Sequence, residues 1–421
     1  MQGLVFDISN FKFTKSGSIF VHFTPTNATL SINGKPYQKK QGFFGGGILV
    51  SNLVPKTYEV SVMKDGYTQW IKELKVAPGK VSVAARVTLW KNIEFKKQGT
   101  STIDNFFATE KGFVFKTSSS SLIFEDTPIK GNLVELYDIN SSYIVTKTHT
   151  NSLFLIDLNT PAITRDFRIL FRTVMQAQDE IDNTTIQKIA FHPFSKTKLV
   201  VETLNGLYIF DLKRNTIESV DVENKPVAFG ISTNEIFIIN KTGDLVIKNL
   251  MLGSRYIFPI DASSTQTITP SGDGNFAFIT QKDKTLYLFD RNKQTLKKVG
   301  TNIVFSSFSS DGLRTIFIDS NNTAHIYYLD DYEGDSIKTG GTIELFTIPN
   351  GARPDTFVWI PFAENYGMIR VGNTLRVIEL DVREPHNATT IAKNITNVSL
   401  MNGYLFAVNT NGEFLKGVLE E

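Results

Sequence analysis

From Leu122 to the C-terminus, short apolar runs alternate with polar turns in one recurring unit. An apolar strand is followed by a turn of Asn, Gly, Asp or Thr, then by a second strand that tends to end in an acidic residue. Turn and second strand recur as VETLNGLYIFD, IINKTGDLVIKN, ITQKDKTLYLFD, FIDSNNTAHIYYLD and AVNTNGEFLKG, and looser copies start at Leu122, Leu153 and Leu375. Second strands thus begin at Leu122, Leu153, Leu207, Leu245, Leu286, Ile326, Leu375 and Phe414, at intervals of 31, 54, 38, 41, 40, 49 and 39 residues. A period averaging about 42 residues is that of a four-stranded sheet repeated around a ring.

Strands such as LYIFD and LVIKN carry large side chains on both faces, so each sheet needs cover on both sides, which neighbouring blades of a β-propeller provide. The runs last only four to eight residues between Gly, Asn, Asp and Ser clusters, and no segment shows helical periodicity over three turns, so an all-β chain is expected. Residues 90–421 number 332, giving eight blades of about 41 residues; the alternative, seven of about 47, ignores one hairpin. The last repeat supplies three strands, at 395–400, 403–409 and 413–419, while WKNIEFKKQG is a strand with no hairpin partner. Ile93 to Lys97 is therefore expected to complete the last sheet and close the ring, removing an open edge. The turns SGDGNF and SSDGLR resemble first-to-second strand turns of WD-type repeats, without the Trp-Asp and Gly-His signatures.

Three segments are expected: a membrane-proximal stretch at 1–16, a small module at 17–91, and the propeller at 92–421. From Gly17 to Leu89 the runs SIFVHF, ATLSINGK, GILVSNL, TYEVSVMKDGYTQW and LKVAPGKVSVAARVTL read as an antiparallel β sandwich. Asn33-Gly34 marks a hairpin turn, and Gly66 frees the backbone before Tyr67. The pattern carried by Gly17, Pro25, Ala28, Asn33, Gly34, Tyr58, Gly66 and Tyr67 resembles the PEGA domain, a bacterial surface β module. The chain departs from it at Lys56, where that family usually has Gly, and at QKKQGFFGGG. The opening QGLVFDISNFKFTKSG is similar to the segment that follows a single membrane helix in anchored PEGA proteins of very small bacteria. The resemblance implies a structural or adhesive extracytoplasmic protein of the cell envelope, with no catalysis and a transmembrane anchor upstream of residue 1.

The net charge of +2 hides an asymmetry: residues 1–92 hold 12 Lys/Arg against 4 Asp/Glu, leaving 32 against 38 for the remainder. A basic module can face an anionic surface while the acidic part points away, although ordinary solvated lysines give the same count. With no cysteine, disulfides, thiolate nucleophiles and Cys-ligated zinc are excluded. No stretch approaches the length of a membrane span.

Candidate chemistry is sparse. His22, His149, His192, His325 and His386 fall in different repeats without ligand spacing, and His149 and His325 lie in or beside second-hairpin turns, where surface exposure is expected. Asp330, Asp331, Glu333 and Asp335 crowd the insertion LDDYEGDSIKTGG, an oxygen-rich loop of the kind calcium needs, but not in EF-hand order; the alternative is a solvated acidic loop. TSSSSLIF lacks a nucleophile elbow, and Gly45-Gly46-Gly47 lacks the Lys and helix of a phosphate cradle. The insertion NTPAITRDFRILFRTVMQAQDEIDN interleaves Arg165, Arg168 and Arg172 with Phe167, Leu170 and Phe171 and reads as a docking lip or an elongated outer hairpin. Sequons stand at Asn27, Asn183, Asn240, Asn321, Asn387, Asn394 and Asn397.

Neither cofactor nor catalytic residue is expected. The leading reading is a noncatalytic surface protein, a PEGA stalk displaying a propeller that contacts a protein or cell-wall glycan. The propeller's acidic balance argues against nucleic acid. The alternatives are a propeller hydrolase or lyase with carboxylates in the channel, near Asp104 and Glu135, and an envelope scaffold that pairs exposed module edges between copies.

Overall fold

A computed structural model describes residues 3–7, 11–37, 47–99, 101–117, 121–124, 127–129, 133–140, 142–148, 150–177, 185–192, 195–220, 226–335, 337–348 and 353–419; side-chain surroundings are not described for 133–137. Among these, eight four-stranded antiparallel sheets follow one another downstream of Lys96. Their first strands are Asn105–Thr109, Leu133–Ile139, Ile186–Phe191, Ala228–Ile231, Thr265–Pro270, Ile303–Phe308, Thr356–Trp359 and Ile395–Met401. All eight second-strand starts read from the repeat fall on the third strand of a sheet.

The acidic residue that ends many of those strands has a local task. Asp211 Oδ1 accepts from the Lys213 and Arg214 amides, and Asp157 and Asp290 hold their turns in the same way. Each carboxylate satisfies amides that a turn would leave unpaired.

Successive residues of a strand face opposite sides, and here both sides are interior. Ile144 packs toward the first sheet and Val145 toward the third; Val200 and Val201, Phe237 and Ile238, and Phe278 and Ile279 divide likewise. The order continues through Phe317 and Ile316 in the sixth sheet and Ile369 and Met368 in the seventh. It returns where Phe406 and Phe414 of the eighth sheet meet Phe106 of the first, so the interfaces form a closed cycle and the architecture is a β-propeller. First strands touch between the first and eighth, the second and third, and the fourth and fifth sheets, which places them innermost. There Asp138 Oδ2 accepts from the Phe191 amide, and Gly230 lies so close to the next sheet that a Cβ would come within 2.5 Å of Ile268 O.

Closure uses the N-terminal segment. Lys96–Lys97 pairs antiparallel with Phe414–Val418, and Ile93 and Phe95 pack into the core shared by the seventh and eighth sheets. The paired strand is shorter than the expected Ile93–Lys97, because Ile93 bonds instead through its amide to Ile391 O.

The all-strand expectation fails in one place. Phe167–Ala177 is an α-helix, capped by Asp166, whose Oδ1 accepts from the Ile169 amide. Phe167, Phe171, Val174 and Met175 recur at helical spacing and are buried against Phe210 and Tyr208, between the second and third sheets. The insertion is thus a core-filling helix and not an extended hairpin.

The first module has two sheets around one core. Lys35–Tyr37, Thr29–Ile32, Thr57–Met63 and Trp70–Lys75 make one; Ile48–Leu53, Gly17–Thr24 and Val81–Thr88 make the other. Its pairing is not antiparallel throughout, since Gly17–Thr24 and Val81–Thr88 run parallel. Asn33 and Gly34, at φ 48° and 75°, form the hairpin turn, and Gly66 at φ 80° opens the turn before Tyr67.

Gly417 tests the closure, because a Cβ there would overlap Ile93 Cγ2. Gly417→Ala should destabilise the chain by about 1–3 kcal/mol in denaturant unfolding. Combined with Ile93→Ala it should cost less than the sum of the two single changes; strict additivity would contradict the contact.

Candidate functional site

The most heavily built polar site lies where the first module meets the sixth and seventh sheets. Two edge strands of the module, Trp70–Lys75 and Val81–Thr88, face the propeller, and edge strands carry unpaired backbone groups. The propeller supplies partners for them. Asn387 accepts from the Ile71 amide at 3.2 Å and donates to Ile71 O at 2.9 Å, while the Glu73 amide donates to Glu384 O at 2.8 Å. On the other edge, Asp335 Oδ1 accepts from the Ala85 amide at 2.8 Å, Arg383 donates to Val83 O at 2.8 Å, and Tyr366 Oη accepts from the Thr88 amide at 3.0 Å.

Lys72 sits at the centre of this contact and is 0% exposed. Its Nζ lies 2.8 Å from Glu379 Oε2 and donates to the backbone oxygens of Arg383 at 2.6 Å, Pro385 at 3.2 Å and Asp381 at 3.3 Å. Glu379 also accepts from Trp70 Nε1 at 2.9 Å and Asn387 Nδ2 at 2.7 Å. A buried ion pair is tolerable only with its remaining hydrogen-bonding capacity met, and both partners here meet that condition.

Beside it, Arg383 bridges Asp381 and Asp335, Arg86 donates to Tyr332 Oη at 2.6 Å and pairs with Glu364 at 3.0 Å, and Arg314 lies 4.4 Å from the centroid of the Tyr332 ring. Burial pushes the Glu379 carboxyl up against the opposing charge of Lys72, and burial likewise raises Asp335. Burial also opposes ionisation of Asp381, but hydrogen bonds and charge from Arg383, with Lys72 behind, hold it below the ordinary carboxylate range.

The four acidic candidates are thereby separated. Asp335 turns into the interface, Asp331 Oδ1 accepts from the Gly340 amide, Asp330 Oδ1 accepts from the Asp331 amide, and Glu333 is exposed in a two-strand hairpin with Ile337–Lys338. Of the insertion read as a calcium loop or a solvated acidic loop, Asp330, Asp331 and Glu333 are exposed and Asp335 contributes to docking, and among the described residues no group of three or more His, Asp or Glu could hold a metal ion.

Arg165, Arg168 and Arg172 are all exposed, the first on the outer strand of the second sheet and the others on the helix. His22 contacts Ala85 O, His192 is buried with its pKa lowered by burial, and His386 pairs with Glu384. His325 is not at an exposed turn: it lies mid-strand, stacked on Phe317 and 3.2 Å from Asp319. His149, Gly45, Gly46, Ser118 to Ser120 and Asn183 lie outside the described residues. Of the other sequons, Asn387 is occupied by the docking contact and Asn397 donates to Phe106 O.

Asp104 is exposed before the first innermost strand. Glu135 and Asp138 are the carboxylates within the described innermost strands, which contain no histidine. Both Asp138 oxygens accept backbone amides, from Ile139 and Phe191.

No protein-family model matches the chain, and no curated protein matches it. Among solved structures it is similar to the Swd1 (Cps50) β-propeller domain of Myceliophteria thermophila, at 10% identity over 78% of this chain and 99% of that one, with a TM-score of 0.42. Kluyveromyces lactis Hsv2p is similar at 12% identity over 72% and 99%, with a TM-score of 0.45. PorZ of Porphyromonas gingivalis, described as a bacterial surface component of the type-IX secretion system, is similar at 11% identity over 75% of this chain but 42% of its own length, with a TM-score of 0.40. The propeller architecture stands on the sheet order and cycle of cores within this chain.

Lys72→Ala leaves the Glu379 carboxylate buried and unpaired and should cost about 3–5 kcal/mol, whereas Lys72→Met with Glu379→Met should recover much of the loss. Equal losses in thermal unfolding would contradict the pairing. The depressed pKa of Asp381 stabilises the fold above its unfolded value, about 3.9, and that contribution disappears as pH falls through the lower folded value. Glu379 and Asp335, with raised values, act oppositely and lose their contribution as pH rises through their folded values. Asp381→Asn should therefore lower thermal stability at neutral pH and reduce the further loss on acidification from about pH 5 to pH 2; an unchanged acid-side loss would contradict the assignment.

Proposed function

We propose that this is a noncatalytic binding platform of the bacterial cell envelope, in which a PEGA-like module holds an eight-bladed propeller in fixed orientation toward a protein or cell-wall glycan partner. The observation that carries the reading is the double-edge docking around Lys72: a tether alone needs no buried ion pair, whereas a platform needs its two parts aligned. The eight successive sheets are read as the eight blades. The PEGA reading draws support from the Asn33-Gly34 turn, Gly66 at positive φ, and Tyr58, whose buried ring donates from Oη to Val54 O. Extracytoplasmic placement and an anchor upstream of residue 1 belong to this proposal through the same resemblance.

A noncatalytic role fits the innermost strands. A channel hydrolase needs two carboxylates, or a histidine and a carboxylate, converging within about 10 Å, whereas Asp138 is committed to two backbone amides. Scaffolding by edge pairing between copies is less favoured, since the edges at Trp70–Lys75 and Val81–Thr88 are already covered by the propeller.

Arg165, on the outer strand of the second sheet, and Arg168 and Arg172, on the helix that follows it, are exposed side chains of a kind suited to an acidic partner. Envelope-protein crosslinking and glycan arrays should identify a partner whose association slows several-fold at low salt with Arg168→Glu/Arg172→Glu. Glycan cleavage by the purified chain, or crosslinking and arrays that both stay silent, would contradict the proposal.

A further inference from the structure

Ahead of the first module, Leu4–Asp7 and Lys12–Lys15 pair as an antiparallel hairpin, with Phe6 opposite Phe13. Residues directly opposite share a face, so Leu4, Phe6 and Phe13 stand on one side and Val5 and Thr14 on the other. Phe11 and Phe13 pack edge-on against Phe6, with ring centroids 6.4 Å and 5.2 Å away. The amphipathicity of this hairpin is inverted. Its aromatic side faces solvent, with Leu4 58%, Phe6 45%, Phe13 72% and Phe11 81% exposed. Val5 and Thr14 are half-buried, where Leu4–Asp7 lies beside Ile48–Leu53. A sheet covered on one side ordinarily turns its apolar face inward. Phe11 also holds φ 50°, a conformation that Asn takes readily and a large ring rarely.

The hairpin is rooted at one end of the module. Ser16 O accepts from the Gly79 amide, Gly17 pairs with Leu53 and Ser18 with Val81, and Thr57 pairs with Lys75 in the facing sheet. This end carries exposed Lys56, Lys75 and Lys80, in addition to Lys12 and Lys15 on the hairpin. The acids of residues 1–92 are Asp7, Glu59, Asp65 and Glu73. Asp7 belongs to the hairpin, and Glu59 and Glu73 stand opposite each other two positions further in. Asp65 lies in a turn at the opposite end, where the Thr68 amide donates to Trp90 O and the chain leaves for the propeller.

We infer that this end of the module rests on an anionic lipid bilayer, with Leu4, Phe6, Phe11 and Phe13 in the interfacial layer and the lysines at the level of the phosphates. The inference rests on the envelope placement in the proposed function and names the surface that meets the lipid. Aromatic rings lose water in the layer between headgroups and chains, while lysine stems follow them and leave their ammonium groups beside the phosphates. A soluble polyanion neutralises the lysines and leaves the rings in water. A second copy docked on the same face covers the rings but sets lysines against lysines. Because the chain leaves for the propeller at the opposite end, the two ends of the module serve separate surfaces.

The test is co-sedimentation of the full chain with vesicles of phosphatidylcholine alone and of phosphatidylcholine with about one third phosphatidylglycerol, repeated on Phe11→Asn/Phe13→Thr and on Lys12→Gln/Lys15→Gln. Asn suits a positive φ and Thr suits a strand, so the hairpin itself is kept. The chain should bind the anionic vesicles at least about tenfold more tightly than the neutral ones. The aromatic substitutions should weaken that binding about tenfold or more and the lysine substitutions about fivefold, while the thermal transition stays in place. No binding to anionic vesicles, equal binding to neutral ones, or indifference to either pair of substitutions would each overturn the inference. So would self-association that Phe11→Asn/Phe13→Thr abolishes while vesicles stay unbound, which makes a second copy the occupant. A chain that ignores vesicles yet still captures an envelope partner overturns the lipid contact and leaves the platform intact; vesicle binding with silent crosslinking and arrays does the reverse.

Discussion

Two-faced apolar sheets impose the governing constraint. Adjacent residues such as Val200 and Val201, or Phe237 and Ile238, are buried on opposite sides of the same strand, so every sheet needs a neighbour on each face. An open stack would leave two end faces bare, each worth about 25 cal/mol for every Å² of apolar surface kept in water. A closed cycle leaves none. That is why the chain recruits Lys96 and Lys97, more than 300 residues away in sequence, to finish its last sheet, and why Phe106 clusters with Phe414 across the ends of the ring.

The first module is bound by different physics. Its docking face is two strand edges, whose exposed backbone groups would otherwise invite pairing with other chains. Side chains and carbonyl oxygens of the sixth and seventh sheets meet those groups, and the central cation, Lys72, is surrounded by one carboxylate and three carbonyls. Such an arrangement contributes little net stability over an apolar contact, but it penalises any misaligned docking, because a shifted Lys72 is a buried charge without partners. The overall charge asymmetry is thus used partly within the molecule, in the Lys72–Glu379 and Arg86–Glu364 pairs.

The ring was legible because its signal is local and repeated: each third strand carries alternating large side chains and often an acidic cap for the following turn. The closing strand was legible by counting, since one sheet lacked a member. The helix at Phe167–Ala177 was missed although Phe167, Phe171, Val174 and Met175 hold helical spacing and Asp166 caps it; its aromatic content and strand-rich surroundings favoured the hairpin reading. The docking site was hardly legible at all. Lys72 looks like any strand lysine, and its partners lie some 310 residues downstream, so no local pattern could join them. The acidic insertion stands out by its charge, but its destination, the Val81–Thr88 edge, is a property of the folded chain.

Hydrogen–deuterium exchange tests the central claim of a closed propeller rigidly docked on its module. The Ile71 and Glu73 amides point away from their own sheet and bond to Asn387 and Glu384 O. These two amides should be protected as strongly as those of the Lys96–Lys97 closing pair. Rapid exchange at Ile71 and Glu73 beside a protected ring would show two independent bodies and contradict the rigid docking.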